Sequence, residues 1–176
     1  MARRYRRRWS YSAPALLVVA LLAALRYFLG EPAAPPPANL PEGNYRVERV
    51  VDGDTLIVAG LDRVRLMGIN APESVKPDHP VEPFGPEASA FTKQFLAGGQ
   101  VRLQFDHERV DQYGRALAYA WVGDKLLNEE LVRQGLARAE MQYHYSQAMK
   151  RRFREAQDEA RAAHRGIWSQ PAPGRR

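Results

Sequence analysis

The chain contains no cysteine, which excludes disulfide staples and thiolate metal sites. That absence does not assign a compartment, because 176 residues can bury enough surface to fold without staples. Histidine is scarce too: His79, His107, His144 and His164 lie scattered without metal-ligand spacing and are expected at the surface. No internal repeat is evident. The net charge of +6 is also largely absent from the middle of the chain. Arg3, Arg4, Arg6, Arg7, Arg8 and Arg26 lie in the first thirty positions, and Arg175 and Arg176 end the chain. The bases left between them are slightly outnumbered by the 20 acids, so bulk basicity argues nothing about nucleic acid here.

What is present begins with "MARRYRRRWSYSAPALLVVALLAALRYFLG", an arginine cluster followed by an apolar run. As a helix, residues 12–29 would span about 27 Å, close to the bilayer core. Arg26 can snorkel, and Trp9, Tyr11 and Tyr27 fall where interfacial aromatics belong. The expectation is a basic cytoplasmic arm at 1–11 and a single-pass transmembrane anchor at 12–29, with the remainder outside the cytoplasm. The alternative is secretion after cleavage of a signal peptide. Residues 30–43, rich in proline and alanine, read as a semi-rigid spacer. A folded domain is expected over 44–168, with a short tail at 169–176.

In the domain, "YRVERVV", "DTLIVAG" and "DRVRLMGI" read as three consecutive antiparallel strands separated at Gly53 and Gly60. "GPEASAFTKQFLAGG" reads as a helix with Pro86 in its first turn and Gly98-Gly99 as its stop. "QVRLQF" and "RALAYAWV" are two more strands. "NEELVRQG" is a short helix with Asn128 as cap and Gly135 as stop, and residues 146–164 form an amphipathic helix. The run "KRRFRE" is expected on its solvated face. This order predicts an α+β fold: a five-stranded OB-fold β-barrel with three helices, preceded by the anchor helix.

Taken singly, the polar motifs are bland. "VDGDT" and "NAPE" are good turn sequences, and Arg65 in an alternating strand is ordinarily solvated. Together they supply what phosphodiester hydrolysis needs: oxygen ligands for a hard metal, arginine forks for phosphate, and a carboxylate to position water. Asp54, Asn70, Glu73, Arg65 and Arg115 make up that inventory.

"VVDGDT", "RLMGINAPE", "FGPEASAFTKQFL", "DQYGRALAY", "NEELVRQGLA" and "GIW", taken in order, resemble the staphylococcal nuclease, or thermonuclease, family from Tyr45 to about Trp168. The resemblance implies a calcium-dependent nuclease that hydrolyses DNA and RNA to 3′-phosphate products. It implies Asp54 as principal calcium ligand, with Asp52 behind it. Asn70, where the family commonly has aspartate, and the Ala71 backbone carbonyl would complete the ligand set. Arg65 and Arg115 match the phosphate-holding arginines, Glu73 the residue that positions water, and Tyr113 a phosphate-contacting tyrosine. Gln112 stands where the best-known members have lysine. For the aromatic pair that packs a base, Met141, Tyr143 and Tyr145 are the candidates, with Tyr143 aligning most naturally. Single-stranded or unwound nucleic acid is the expected partner, with no obligate protein partner. A catalytically weak or inactive module that binds nucleic acid or protein is the alternative. Alanine at Arg65 or Arg115 is expected to cost orders of magnitude in turnover and leave folding largely intact.

Overall fold

The computed structural model describes residues 40–74 and 81–169. The expected anchor at 12–29 lies outside them; among the described residues no helix is long and apolar enough to cross a membrane.

Strand β1 (Gly43–Val50) bends around the barrel by serving two neighbours. Its first half pairs antiparallel with β5 (Gln100–Gln104), and its second half pairs with β2 (Thr55–Val58). The register shifts between Val47 and Arg49, the kind of irregularity that lets a strand turn a barrel corner. β2 runs antiparallel to β3 (Asp62–Leu66), and β5 to β6 (Ala116–Val122). A parallel pairing of β3 with β6, Val64 opposite Ala116 and Leu66 opposite Ala118, closes the five strands. Closure removes the free edges that β3 and β6 would otherwise expose. The expected five-stranded barrel with three helices is what the described residues form.

Two short pairings lie outside the barrel sequence signals. β4 (Ile69–Asn70) pairs with β8 (Arg138–Ala139), and β7 (Lys125–Leu126) pairs with the end of β6. Two-residue strands carry too little periodicity to be read from sequence.

Helix α1 (Gly85–Phe95) has its proline in the first turn and Glu87 beside the N-terminus, as expected. Helix α2 (Leu127–Arg133) begins two residues earlier than the sequence implies, and its cap position is Leu126 rather than Asn128. Asn128 is fully buried inside the first turn; its amide donates to Met67 O (2.9 Å) and its Oδ1 accepts from Ala120 N–H (3.0 Å). It therefore ties α2 to β6 and to the turn after β3, a role set by tertiary packing rather than capping. Helix α3 (Gln147–Ala162) buries Phe153, Ala156 and Ala160. Its basic run is only partly a solvated face: Lys150 Nζ donates to Met141 O (2.8 Å), and Arg152 pairs with Glu129.

The barrel core is built from Leu56, Val64, Leu66, Leu103 and Ala118, with Leu131 and Phe153 from the helices. Tyr119 faces the other way from its neighbours on β6 yet stays buried, edge-on to Phe153 at 6.3 Å. Helices covering that outer face explain why β6 is buried almost continuously. The end of the proline-rich spacer also belongs to the body. Leu40 is buried and Arg109 Nη1 donates to its carbonyl (2.9 Å), while Glu42 Oε1 accepts from Phe105 N–H (3.3 Å). A soluble fragment therefore needs to start before Leu40 to keep these contacts.

After α3 the chain returns over α2 through a 3-10 turn, Gly166–Trp168. Gly135 and Gly166 meet there so closely that a Cβ on either would lie 2.2 Å from a carbonyl oxygen of the other strand of chain. Only glycine fits both places.

Candidate active site

The site starts at the turn between β1 and β2. Asp52 Oδ1 accepts the Asp54 N–H (2.9 Å), so for Asp52 the turn reading of this sequence is correct. Asp54 does more. It is 2% exposed; one carboxylate oxygen accepts the Ala71 N–H (2.6 Å), and the other accepts the Thr55 hydroxyl (3.2 Å) and pairs with Arg65. Helix α1 clamps this turn from behind, since Thr92 Oγ1 donates to Gly53 O (2.7 Å). A Cβ on Gly53 would lie 2.7 Å from both Ala71 and Ala88 side chains, which makes glycine necessary for this approach.

Arg65, near the end of β3, lies across the antiparallel register from Thr55. Its guanidinium bridges Asp54 and Asn70, donating to Asn70 Oδ1 at 2.8 Å and more weakly to Ile69 O at 3.3 Å. Burial lowers its pKa, and the nearby Arg115 lowers it further. The parallel β3–β6 register is what brings Arg115, one residue before β6, toward Arg65. Two guanidinium groups whose fields oppose each other form a place where an anion is strongly favoured.

Arg115 is itself aimed by Asp111, whose carboxylate accepts from Arg115 Nε (2.7 Å) and from the backbone N–H groups of Tyr113 and Arg115 (both 2.9 Å). Sequence reasoning passed over Asp111. Its signal was available: aspartate opening a four-residue turn that ends in glycine, Asp111 to Gly114. The Arg115 guanidinium also lies 5.5 Å above the ring of Tyr113, which is 75% exposed.

Glu73 follows Pro72 out of β4. Its backbone is gripped on both sides by Glu82: Glu73 N–H donates to Glu82 Oε2 (3.1 Å), and Glu82 N–H donates to Glu73 O (2.9 Å). Its own Oε1 accepts from Ser74 N–H (3.0 Å). Glu82 was another residue that sequence reasoning missed, because it lies nine positions away and only the folded loop brings it back.

Two hollows share these residues. One, of roughly 360 Å³, is lined by Arg65, Asn70, Gln112, Tyr113, Arg115 and Tyr143 among others. A smaller one, of roughly 200 Å³, is lined by Asp52, Asp54, Ala71 and Glu73, and again by Arg65 and Asn70. The residues expected to hold phosphate thus open onto the first, and those expected to hold metal and water onto the second, with Arg65 and Asn70 between them. Burial raises the pKa of Asp52, an effect that Arg65 opposes. Tyr145 is buried against Phe153 and Gly68, with its hydroxyl near Met141 Sδ, so Tyr145 belongs to the core. Tyr143, 53% exposed, is the accessible aromatic.

Among the described residues no three Asp, Glu or His side chains gather into a metal-binding group. What converges is Asp54 Oδ1 and Asn70 Oδ1, both holding the same guanidinium. Two hard oxygens already aimed at one cation, beside the Ala71 backbone, fit an oxygen-liganded divalent ion that draws further ligands from water.

Comparison with known proteins agrees with this geometry. A family model described as "Staphylococcal nuclease homologue" matches residues 63–170. The chain is 44% identical over 135 residues to a thermonuclease of Staphylococcus hyicus, covering 75% of this chain and 79% of that protein. It is 47% identical over 128 residues to a thermonuclease of Staphylococcus intermedius, covering 71% and 76%. Endonuclease YncB of Bacillus subtilis (strain 168) is 37% identical over 130 residues, covering 72% and 62%. With a closed barrel, paired arginines at its rim and these relatives, the chain belongs to the staphylococcal nuclease family and is a nuclease.

Proposed function

We propose that the chain hydrolyses phosphodiester bonds of DNA and RNA with calcium, leaving 3′-phosphate products. The observation that carries this reading is the pair of adjoining hollows that share Arg65 and Asn70. Arg65 and Arg115 grip the oxygens of the scissile phosphate with planar forks of donors. Glu73 orients a water and takes its proton as the water oxygen bonds to phosphorus. The bond from phosphorus to the 5′ oxygen of the neighbouring nucleoside then breaks. That oxygen keeps the electron pair and takes up a proton from solvent to become the 5′-hydroxyl, and the phosphate stays on the 3′ oxygen. A calcium ion held by Asp54, Asn70 and the Ala71 carbonyl, with Asp52 behind, would supply charge to offset what builds on the phosphoryl oxygens. Tyr113 and Gln112 border the phosphate, and Tyr143 offers a face for a base, which favours single-stranded or unwound substrate. Calcium-dependent cleavage of single-stranded DNA by the detergent-solubilised chain is the expected result. No cleavage at any calcium concentration up to the millimolar range would overturn the reading.

Asn70 favours a second reading, a weak or inactive module that binds nucleic acid or protein, because a neutral amide gives the ion less charge. Asn70→Asp is expected to tighten calcium about tenfold, or about 1.4 kcal/mol. The calcium dependence of the melting temperature measures this directly. A variant that binds calcium no better than the parent would remove Asn70 from the ligand set.

We also propose that residues 12–29 anchor the nuclease in a membrane with its catalytic domain outside the cytoplasm. Membranes washed with alkaline carbonate should keep the full-length chain. Release of soluble protein lacking its first thirty residues would show a cleaved signal instead.

A further inference from the structure

A third hollow, also of roughly 360 Å³, adjoins the site and is lined by neither Tyr113 nor Tyr143. It shares Asn70 with both hollows above, and Pro72 and Glu82 with the smaller one. Its walls are otherwise apolar, from Pro83, Phe84 and Ile167, with Arg138 as its cation. We propose that this hollow is a second nucleotide subsite, taking the substrate strand where it continues past the scissile phosphate, opposite the nucleotide held near Tyr143. The inference rests on the nuclease reading above.

Three observations carry it. The first is continuity: β4 and β8 pair with Asn70 directly opposite Arg138, so the two side chains rise from the same face of one short ladder. A strand whose phosphate lies at Asn70 has Arg138 next along its path. The second is charge: Arg138 joins no carboxylate among the described residues, and its guanidinium is stacked 4.6 Å from the centre of the Trp168 ring. Arg161 stacks on the same ring at 4.4 Å. Arg138 is thus held in place while its charge remains unneutralised, which suits a phosphate. Glu82 does line the hollow, but its carboxylate is engaged by the Glu73 N–H. The third is strain: Phe84 sits at φ 72, a left-handed conformation that an aromatic residue adopts only at a cost. Glycine would be the easier residue there, yet it would give up the ring that walls the hollow. An apolar wall beside one fixed cation is what a base and its phosphate require.

The test uses the full chain in detergent with chelator present, so that no cleavage occurs. Binding of a fluorescein-labelled single-stranded dodecanucleotide is followed by anisotropy, with a mononucleotide as competitor. Arg138→Gln keeps a planar group on Trp168 and removes the charge; the ratio of dodecamer to mononucleotide affinity should fall about tenfold, and the slope of log affinity against log salt by about 0.7. Phe84→Gly removes the ring and relieves the backbone, so folding is retained; it should lower the same ratio about tenfold with the salt slope unchanged. Ratios and slopes equal to those of the parent in both variants would overturn the subsite. A parent that binds the dodecamer with these sensitivities but never cuts it would lose the calcium mechanism and keep the subsite. Calcium-dependent cutting with binding insensitive to both substitutions would do the reverse.

Discussion

Arg65→Ala is expected to lose two to three orders of magnitude in turnover and to melt well below the parent protein. The catalytic loss follows from removing one preorganised charge contact to the transition state, about 2.7–4 kcal/mol of barrier. The stability loss follows from the ion pair. Asp54 is 2% exposed and the Arg65 side chain 18%, so deleting the guanidinium strands a buried carboxylate. Breaking a buried pair costs about 3 kcal/mol, which lowers the melting temperature by about 8–15 °C in a domain of this size. This revises the sequence expectation that folding would be spared. Calcium should then raise the melting temperature of Arg65→Ala more than that of the parent, because Asp54 and Asn70 no longer hold a competing cation. Arg115→Ala is the contrast. Its partner Asp111 sits in a more open turn, with side chains 29% and 15% exposed, so a similar loss of turnover should come with less than about 1 kcal/mol of stability. Equal turnover in either variant and the parent would contradict the phosphate roles. Equal melting of Arg65→Ala and parent would contradict the buried pair.

Glu73→Gln should reduce turnover by about a hundred- to ten-thousandfold while leaving nucleic-acid binding and folding near those of the parent. The backbone contacts with Glu82 do not involve the substituted carboxylate, and an amide oxygen can still accept from Ser74 N–H. The capacity to take a proton is lost, together with the negative charge that Glu73 places near Asp52. Single-turnover cleavage at saturating enzyme separates this from weaker binding. A rate within a factor of a few of the parent would assign the base role elsewhere, and Asp52, half-buried beside Arg65, would be the next carboxylate to examine.

The strand and helix order was legible because each long element carries its own periodicity. Alternation marks β1 and β3, and the three-four spacing of Phe153, Ala156 and Ala160 marks α3. Asn128 was misread for the converse reason: nothing local distinguishes an asparagine that caps a helix from one that bonds to a strand 8 residues away and a turn 61 away. Tyr143 and Tyr145 likewise share a stretch and a chemistry, and only the packing of Phe153 and Gly68 against Tyr145 separates them.

The amino-acid sequence by itself determined the kinds of chemical group available: two arginines, two aspartates, an asparagine and a glutamate, and no thiol or histidine cluster to compete. The tertiary structure decided which groups share a cavity. The parallel closure of β3 on β6 draws Arg115 toward Arg65, and the β4–β8 ladder sets Arg138 beside Asn70. Both are contacts between segments about fifty or more residues apart, and no local pattern encodes them. The β3–β6 pairing exists because closing a barrel satisfies backbone hydrogen bonds that an open edge would leave unpaired, whereas the β4–β8 ladder is a separate two-stranded pairing.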